Sequence, residues 1–399
     1  MFPRGESSGG ARILGPAIRM RRPFLRKWVS RALGLAAALG AGAARGDDST
    51  PAPVPGSAFF QSLGSNGRAC ASRHHPADGW TITPRGLRAR FDASGGLDPI
   101  FQRTDAANCP GADVSTAEAR RRAYSVLLAR GVIRVTLPVP SDAEFTVLAV
   151  DDPHGCASPT ALSVYRRPLP LTNFDVLGTV VWDGRHTVAD RAVEDDLAAQ
   201  AVEATLTHAQ SPRPPTAEQV REIVEFQRGL GRRRREPSAA NARTAEAVTR
   251  GEGIFKTRIL LINGVGGLND VLEKPFIVGS CATCHDTPAG VRRAAALLNI
   301  GVNDPARRTP DLPLFTLRCR ATGEVVKTLD LGRALVTGAC RDIGKIKAPV
   351  LRGLAGRAPY FHNGSAATLM DVVEFYNARF QIRLAPQEKA DLVAFLSTL

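Results

Sequence analysis

Cys281-Ala282-Thr283-Cys284-His285 is the stretch on which the reading of this chain turns. The pattern C-x-x-C-H attaches c-type haem: two thiols add across the vinyl groups and the next imidazole ligates the iron. That chemistry needs both sulfurs on one short turn, with the histidine beneath the ring. In 399 residues with 7 Cys and 7 His, about 0.002 such matches arise by chance. A thioredoxin-like C-x-x-C would follow a strand in a βαβ unit, a pattern the flanking sequence does not show. Zinc would need a second ligand pair at finger spacing, and none follows.

The N-terminus agrees with a covalent haem attached after export. Arg21, Arg22, Arg26, Lys27 and Arg31 form a basic region. Ala32 to Ala44 is an Ala/Leu/Gly stretch too short to span a bilayer. Ala41 and Ala43 offer an A-x-A cleavage site, so residues 1–43 read as a signal peptide, with Met20 as an alternative start. Arg21-Arg22-Pro23-Phe24-Leu25 keeps a twin-arginine signal open. The expected location is periplasmic. No later apolar run reaches transmembrane length, so no integral membrane protein is expected.

Cleavage changes the charge argument. The whole chain carries +14, and residues 1–43 hold eight Lys/Arg against one Glu, leaving +14 − 7 = +7. That excess is only weak evidence for a nucleic-acid partner, so none is expected, and it is compatible with a small acidic redox protein or other electron donor. The subunit number stays open, a homodimer included. Beyond the haem motif, Cys109 and Cys156 share one block and Cys319 and Cys340 another. Two disulfides in those pairs are expected in an oxidising compartment, with Cys70 left over.

The mature chain divides into two blocks. Residues 57–230 hold a helical pattern at Thr116–Leu128, strand-like runs at Val132–Leu137 and Phe145–Val150, and a helix over Thr216–Leu230. Residues 231–244, with Arg232 to Arg235 beside Gly231 and Pro237, read as a solvated linker. In residues 245–399, Gly251 and Phe255 lie one helical turn apart ahead of the haem motif. Ala385–Leu399 carries Pro386 at a first helical position and an apolar stripe of Leu392, Val393, Leu396 and Leu399. A Gly-bearing helix crossing an apolar C-terminal helix is similar to a cytochrome c domain. The expected fold is mainly α: two cytochrome c-like helical domains, the first with extra short strands and long loops.

A second, broken copy of the motif sits at Cys70-Ala71-Ser72-Arg73-His74, where Arg73 stands in place of the second thiol. With Val181-Trp182-Asp183-Gly184-Arg185 and Pro359-Tyr360-Phe361-His362-Asn363-Gly364, the chain resembles the bacterial dihaem cytochrome c peroxidase and MauG family over roughly residues 57–399. The resemblance implies one c-type haem per domain. The N-terminal haem meets peroxide or substrate, and the C-terminal haem relays electrons. Trp182 matches the tryptophan placed between the haems. Gln210 falls near the family's distal glutamate, and a glutamine cannot shuttle a proton as a carboxylate does. His208 is the substitute at hand. Cys70 and His74 leave a single-thioether haem conceivable, while Arg73 argues for haem absence. One haem c is therefore expected, and two are not excluded.

The sixth ligand of the second haem has three candidates: Tyr376, Met370 and His362. Leu369, Val372, Val373, Tyr376 and Phe380 share one helical face, and Met370 lies about 240° from Tyr376 on it. By resemblance, Tyr376 occupies the axial methionine position of the peroxidases, where MauG-type enzymes use tyrosine. A phenolate would favour ferric iron, a thioether ferrous iron. The family's interdomain calcium implies Asn173 with the carbonyls of Arg357 and Pro359. Together these features imply oxidoreduction or electron transfer with little peroxidase activity. The rival is a non-catalytic haem-binding relative whose first domain docks a partner or supports the second.

Overall fold

A computed structural model describes residues 56–172, 174, 178–230, 242–285 and 297–399. The expected signal peptide, Asn173 and most of the arginine-rich segment expected as a linker lie outside the described residues. Eleven α-helical segments and four small antiparallel sheets make up the described chain. None of the helices is long and apolar enough to cross a membrane.

Two helix pairs frame the sites. Val193–Thr207 packs against Ala217–Leu230, which buries Ile223, Val224 and Leu230 in a cluster with Phe59, Trp80, Leu171 and Leu197. Ala242–Thr257 crosses Pro386–Leu396 in the most extensive helix contact of the described chain. Glycine is required at that crossing: a Cβ on Gly251 would lie 2.0 Å from the Asp391 carbonyl oxygen. Arg250 fixes the register through its Nε, 2.7 Å from Asp391 Oδ2. Phe255, Leu392, Phe395 and Leu396 close the core beneath. Pro386 stands at the first turn of its helix, where its missing N–H costs nothing.

The expected helix at Thr116–Leu128 is divided into Ala117–Ala123 and Ser125–Arg130. Tyr124 leaves helical geometry between them, and its hydroxyl donates to the Phe101 carbonyl at 3.0 Å. The strands Ile133–Pro138 and Phe145–Asp151 stand where the β-patterned runs place them. Their partners were not legible. Ile133–Pro138 pairs with Ala161–Arg166, and Phe145–Asp151 pairs with Leu314–Cys319 from the second block. A three-stranded sheet therefore runs across the block boundary. Both expected disulfides are present, Cys109–Cys156 and Cys319–Cys340. Each closes a loop and so restricts the unfolded chain, by the chain-entropy account.

Candidate functional site

Two deep cavities open among the described residues. The second contains the complete motif. Ser280 starts a one-turn helix, Cys281–Cys284, and His285 follows at its end. A strand, Phe276–Gly279, does precede the motif, but it is half of an antiparallel hairpin with Leu260–Asn263 and not part of a βαβ unit. Cys281, Cys284 and His285 all line the cavity, whose empty volume is about 1520 Å³ including its mouth. Leu298, Leu369, Val373 and Leu392 make its wall apolar. Burial pushes the Cys281 thiol up to about 11, so it rests as a protonated thiol. Two thiols outside any disulfide and an imidazole on one turn, lining a deep apolar space, fit a covalently held haem.

The same cavity sorts the sixth-ligand candidates. Tyr376 lines it, stacked 6.2 Å from Phe380, on the helix Leu369–Arg379. Burial raises the Tyr376 hydroxyl well above its ordinary pKa, with Cys284 and Cys281 adding to the effect. His362 also lines the cavity, and neither ring nitrogen makes a hydrogen bond. Burial lowers its pKa to about 4, against the pull of Asp330. Met370 is not in the lining and is 36% exposed.

The broken motif lines the first cavity, of about 1420 Å³ including its mouth. Cys70 and Arg73 lie on another one-turn helix, and His74 ends it. Arg73 does not reach into free space: its Nη2 donates to Asp105 Oδ2 at 2.6 Å. Arg68 also holds Asp105, from Nη2 at 2.8 Å to Oδ1. His208 Nδ1 lies 2.7 Å from Asp105 Oδ2. Burial pushes the Asp105 carboxyl up, but Arg73 and Arg68 outweigh it and hold it well below the usual range. His208 lines the cavity, and burial followed by Arg73 lowers its pKa. Gln210 is on the outside, bonded to Asn66 and Thr104, and does not line the cavity.

The wall between the cavities is built from Trp182 and Lys347, which line both. Trp182 Nε1 donates to the Arg167 carbonyl at 2.7 Å, and its ring lies 6.0 Å from that of His362. Lys347 is 6% exposed, and its Nζ donates to the Thr179 carbonyl at 2.7 Å. Burial lowers its pKa to about 7. Behind the wall, Arg166 bonds Asp183 through Nη1 at 2.5 Å and Asp330 through Nε at 2.7 Å. Burial would raise Asp183, yet Arg166 and Arg185 hold it down at about 2. Asp183 belongs to a motif visible in the sequence. Arg166, Asp105 and Lys347 carry no local signal, because their partners lie far along the chain. Val181 and Phe361 have φ of 57° and 65°, left-handed values at the residues just before Trp182 and His362. A β-branched or bulky residue there stores strain, which clusters at functional sites.

The expected calcium ligands do not all come into view. Asn173 is outside the described residues. The Arg357 carbonyl accepts from Arg167 Nη2 at 3.0 Å, which sets a guanidinium charge against it.

A C-x-x-C-H turn opening on a deep apolar cavity has the residues that c-type haem attachment requires. No family model matches the chain. Cytochrome-c peroxidase IdrP2 of Denitromonas iodatirespirans is 33% identical over 132 residues, covering 30% of this chain and 36% of that protein. Cytochrome c551 peroxidase of Pseudomonas aeruginosa is 37% identical over 127 residues, 32% of each. The crystal structure of a MauG-like protein associated with microbial copper homeostasis covers 86% of this chain and 85% of its own, at 19% identity and a TM-score of 0.44. This chain is similar in sequence, over about a third of its length, to bacterial proteins named cytochrome-c peroxidase. The matches span about a third of those peroxidases' own length.

Proposed function

We propose that this chain is a periplasmic c-type haem protein that transfers electrons and turns over peroxide little, with one covalent haem in two cytochrome c-like halves. The observation that carries the reading is the convergence of Cys281, Cys284, His285 and Tyr376 on one apolar cavity. Cys281 and Cys284 would form the thioethers, His285 the proximal bond and Tyr376 the distal one. The bound group supplies the one-electron chemistry. The protein excludes water with an apolar wall and offers Trp182 as the aromatic bridge to the neighbouring cavity.

Weak peroxidase activity is expected because Gln210 stands near where the resemblance puts a glutamate, while of the groups that do line the first cavity Glu203 lies 3.3 Å from His186 and His208 lies 2.7 Å from Asp105. Proton movement at a bound peroxide needs a carboxylate or similar group within hydrogen-bond reach. Gln210 has the wrong chemistry and faces solvent. Purified protein should cycle reversibly between ferric and ferrous states in a potentiometric titration. With reduced cytochrome c and hydrogen peroxide it should show negligible turnover. A robust peroxide-dependent rate rejects the reading.

A second reading, a non-catalytic haem-binding relative that docks a partner, draws on one observation, which falls in the second block and not in the first domain expected to dock. Ile259, Leu261, Phe276 and Val278 are exposed on the hairpin that leads into Cys281. Such a face beside the haem motif suits a small redox protein.

A further inference from the structure

We propose that the first cavity binds a free amphipathic carboxylate of the fatty-acid class, with its carboxylate on Lys347 Nζ and its tail along the apolar lining. The proposal rests on the reading that this chain carries one haem, in the second cavity. In the first, Arg73 stands where the second thiol would be, and its guanidinium is held by Asp105.

Most cations that line this cavity already have a counter-charge. Arg68 and Arg73 share Asp105. Arg166 stands between Asp183 and Asp330, and Arg185 Nη1 also meets Asp183. Lys347 differs. Its Nζ donates to the Thr179 carbonyl at 2.7 Å, and no carboxylate among the described residues pairs with it. An ammonium has three donors, so one carbonyl leaves it unsatisfied. A buried cation without a counter-ion is destabilising, and an anion delivered to it offsets that penalty.

The loop that holds Nζ belongs to the first cavity. Thr179 leads into Val180 and Val181, which line the first cavity and not the second. Thr179 also packs on Gly184, where an added Cβ would lie 3.1 Å from Thr179 Cγ2. The next residue, Arg185, lines the same cavity, and its buried Nε has no acceptor. Lys347 and Arg185 thus bring unused donors to the two ends of one short loop. A carboxylate, with two acceptor oxygens, suits such donors. Glu203 lines the cavity as well, but its Oε2 lies 3.3 Å from His186 Nε2.

The rest of the lining calls for an apolar tail. Leu171, Phe174, Leu197 and Ile223 border the space and belong to one core cluster. An alkyl chain laid against them is removed from water. The ligand class follows from the combination. A small inorganic anion would leave the apolar lining wet, and a neutral alkyl compound would leave Lys347 without a counter-charge.

The test titrates decanoate into purified holoprotein below pH 7, where Lys347 is protonated. Haem content is measured first, by intact mass for covalent haem and by extraction into acidified acetone for any other. Two haems per chain would overturn the one-haem reading and this proposal with it. With one haem, the titration judges the proposal alone. Calorimetry should show saturable binding of one equivalent of decanoate. Decanol, with the same tail and no charge, should bind about tenfold more weakly or worse. Lys347→Met keeps the side chain's length and removes its charge, so it should erase that preference. Decanol should still bind the variant, which shows that its cavity is intact. A diazirine at the tail end of the decanoate should label the helices Val193–Thr207 and Ala217–Leu230, which carry Leu197 and Ile223. The proposal is overturned by no saturable binding to the one-haem protein, by equal affinity for acid and alcohol, or by a preference unchanged in Lys347→Met. Labelling confined to Leu369–Arg379, the helix of the second cavity, would overturn it too.

Discussion

The amide of Lys347 donates to the carbonyl of Trp182 at 2.8 Å, and the side chains of the two residues line both cavities. One backbone hydrogen bond thus ties a buried lysine to the residue whose aromatic ring separates the two sites. An aromatic bridge suits electron transfer. Below about pH 7, where Lys347 is protonated, its charge would favour reduction of whatever lies beside it, because added negative charge is stabilised there.

Lys347 should also make stability depend on pH. Its pKa is about 7 in the folded chain against an ordinary 10.5. Between those values the unfolded chain binds more protons, so stability rises with pH, by up to roughly 1.4 kcal/mol per unit. Below about 7 the penalty is constant. Lys347→Met removes the charge, so its urea midpoint should rise less than the parent's between pH 7 and 9. Parallel profiles for the two proteins would contradict this.

Gly251→Ala should break the helix crossing. The new Cβ meets the backbone of Asp391 and cannot be relieved by rotating a side chain. A loss of about 1–3 kcal/mol or more is expected in chemical denaturation. An unchanged midpoint would show that the helices separate freely, against the packing described.

Tyr376→Phe keeps the ring and removes the oxygen. The ferric spectrum should move to five-coordinate or water-ligated iron while stability changes by less than about 1 kcal/mol. An unaltered spectrum leaves His362, which shares the cavity, as the ligand to test next.

Arg73→Cys completes Cys-x-x-Cys-His at residues 70–74. Arg68 and His208 remain on Asp105, so the loop keeps two of its three anchors. Co-expressed with haem-attachment machinery, the variant should carry one more covalent haem than the parent by intact mass. Identical masses would show that the missing thiol is not what limits attachment.

Much of the candidate site was legible because it is local. C-x-x-C-H fixes two thiols and an imidazole on one turn, and the stripe carrying Tyr376 follows helical period, so both could be read without a fold. Gly251 was legible as part of a helix pair. The Arg73–Asp105–His208 cluster was not, because it joins residues up to 103 apart, where periodicity carries no information. Pairing of Phe145–Asp151 with Leu314–Cys319 escaped for the same reason. A strand pattern shows that an edge exists, not which segment meets it. The helix break at Tyr124 was hidden because its apolar spacing continues across the break.

The central claim is one covalent haem, held at Cys281 and Cys284. It is tested most directly by intact mass and peptide mapping of the holoprotein, alongside Cys281→Ala/Cys284→Ala. The account predicts one haem on the parent, on the peptide spanning residues 281–284, and none on the double variant. Covalent haem on the double variant, or a second one mapped to Cys70, would contradict it.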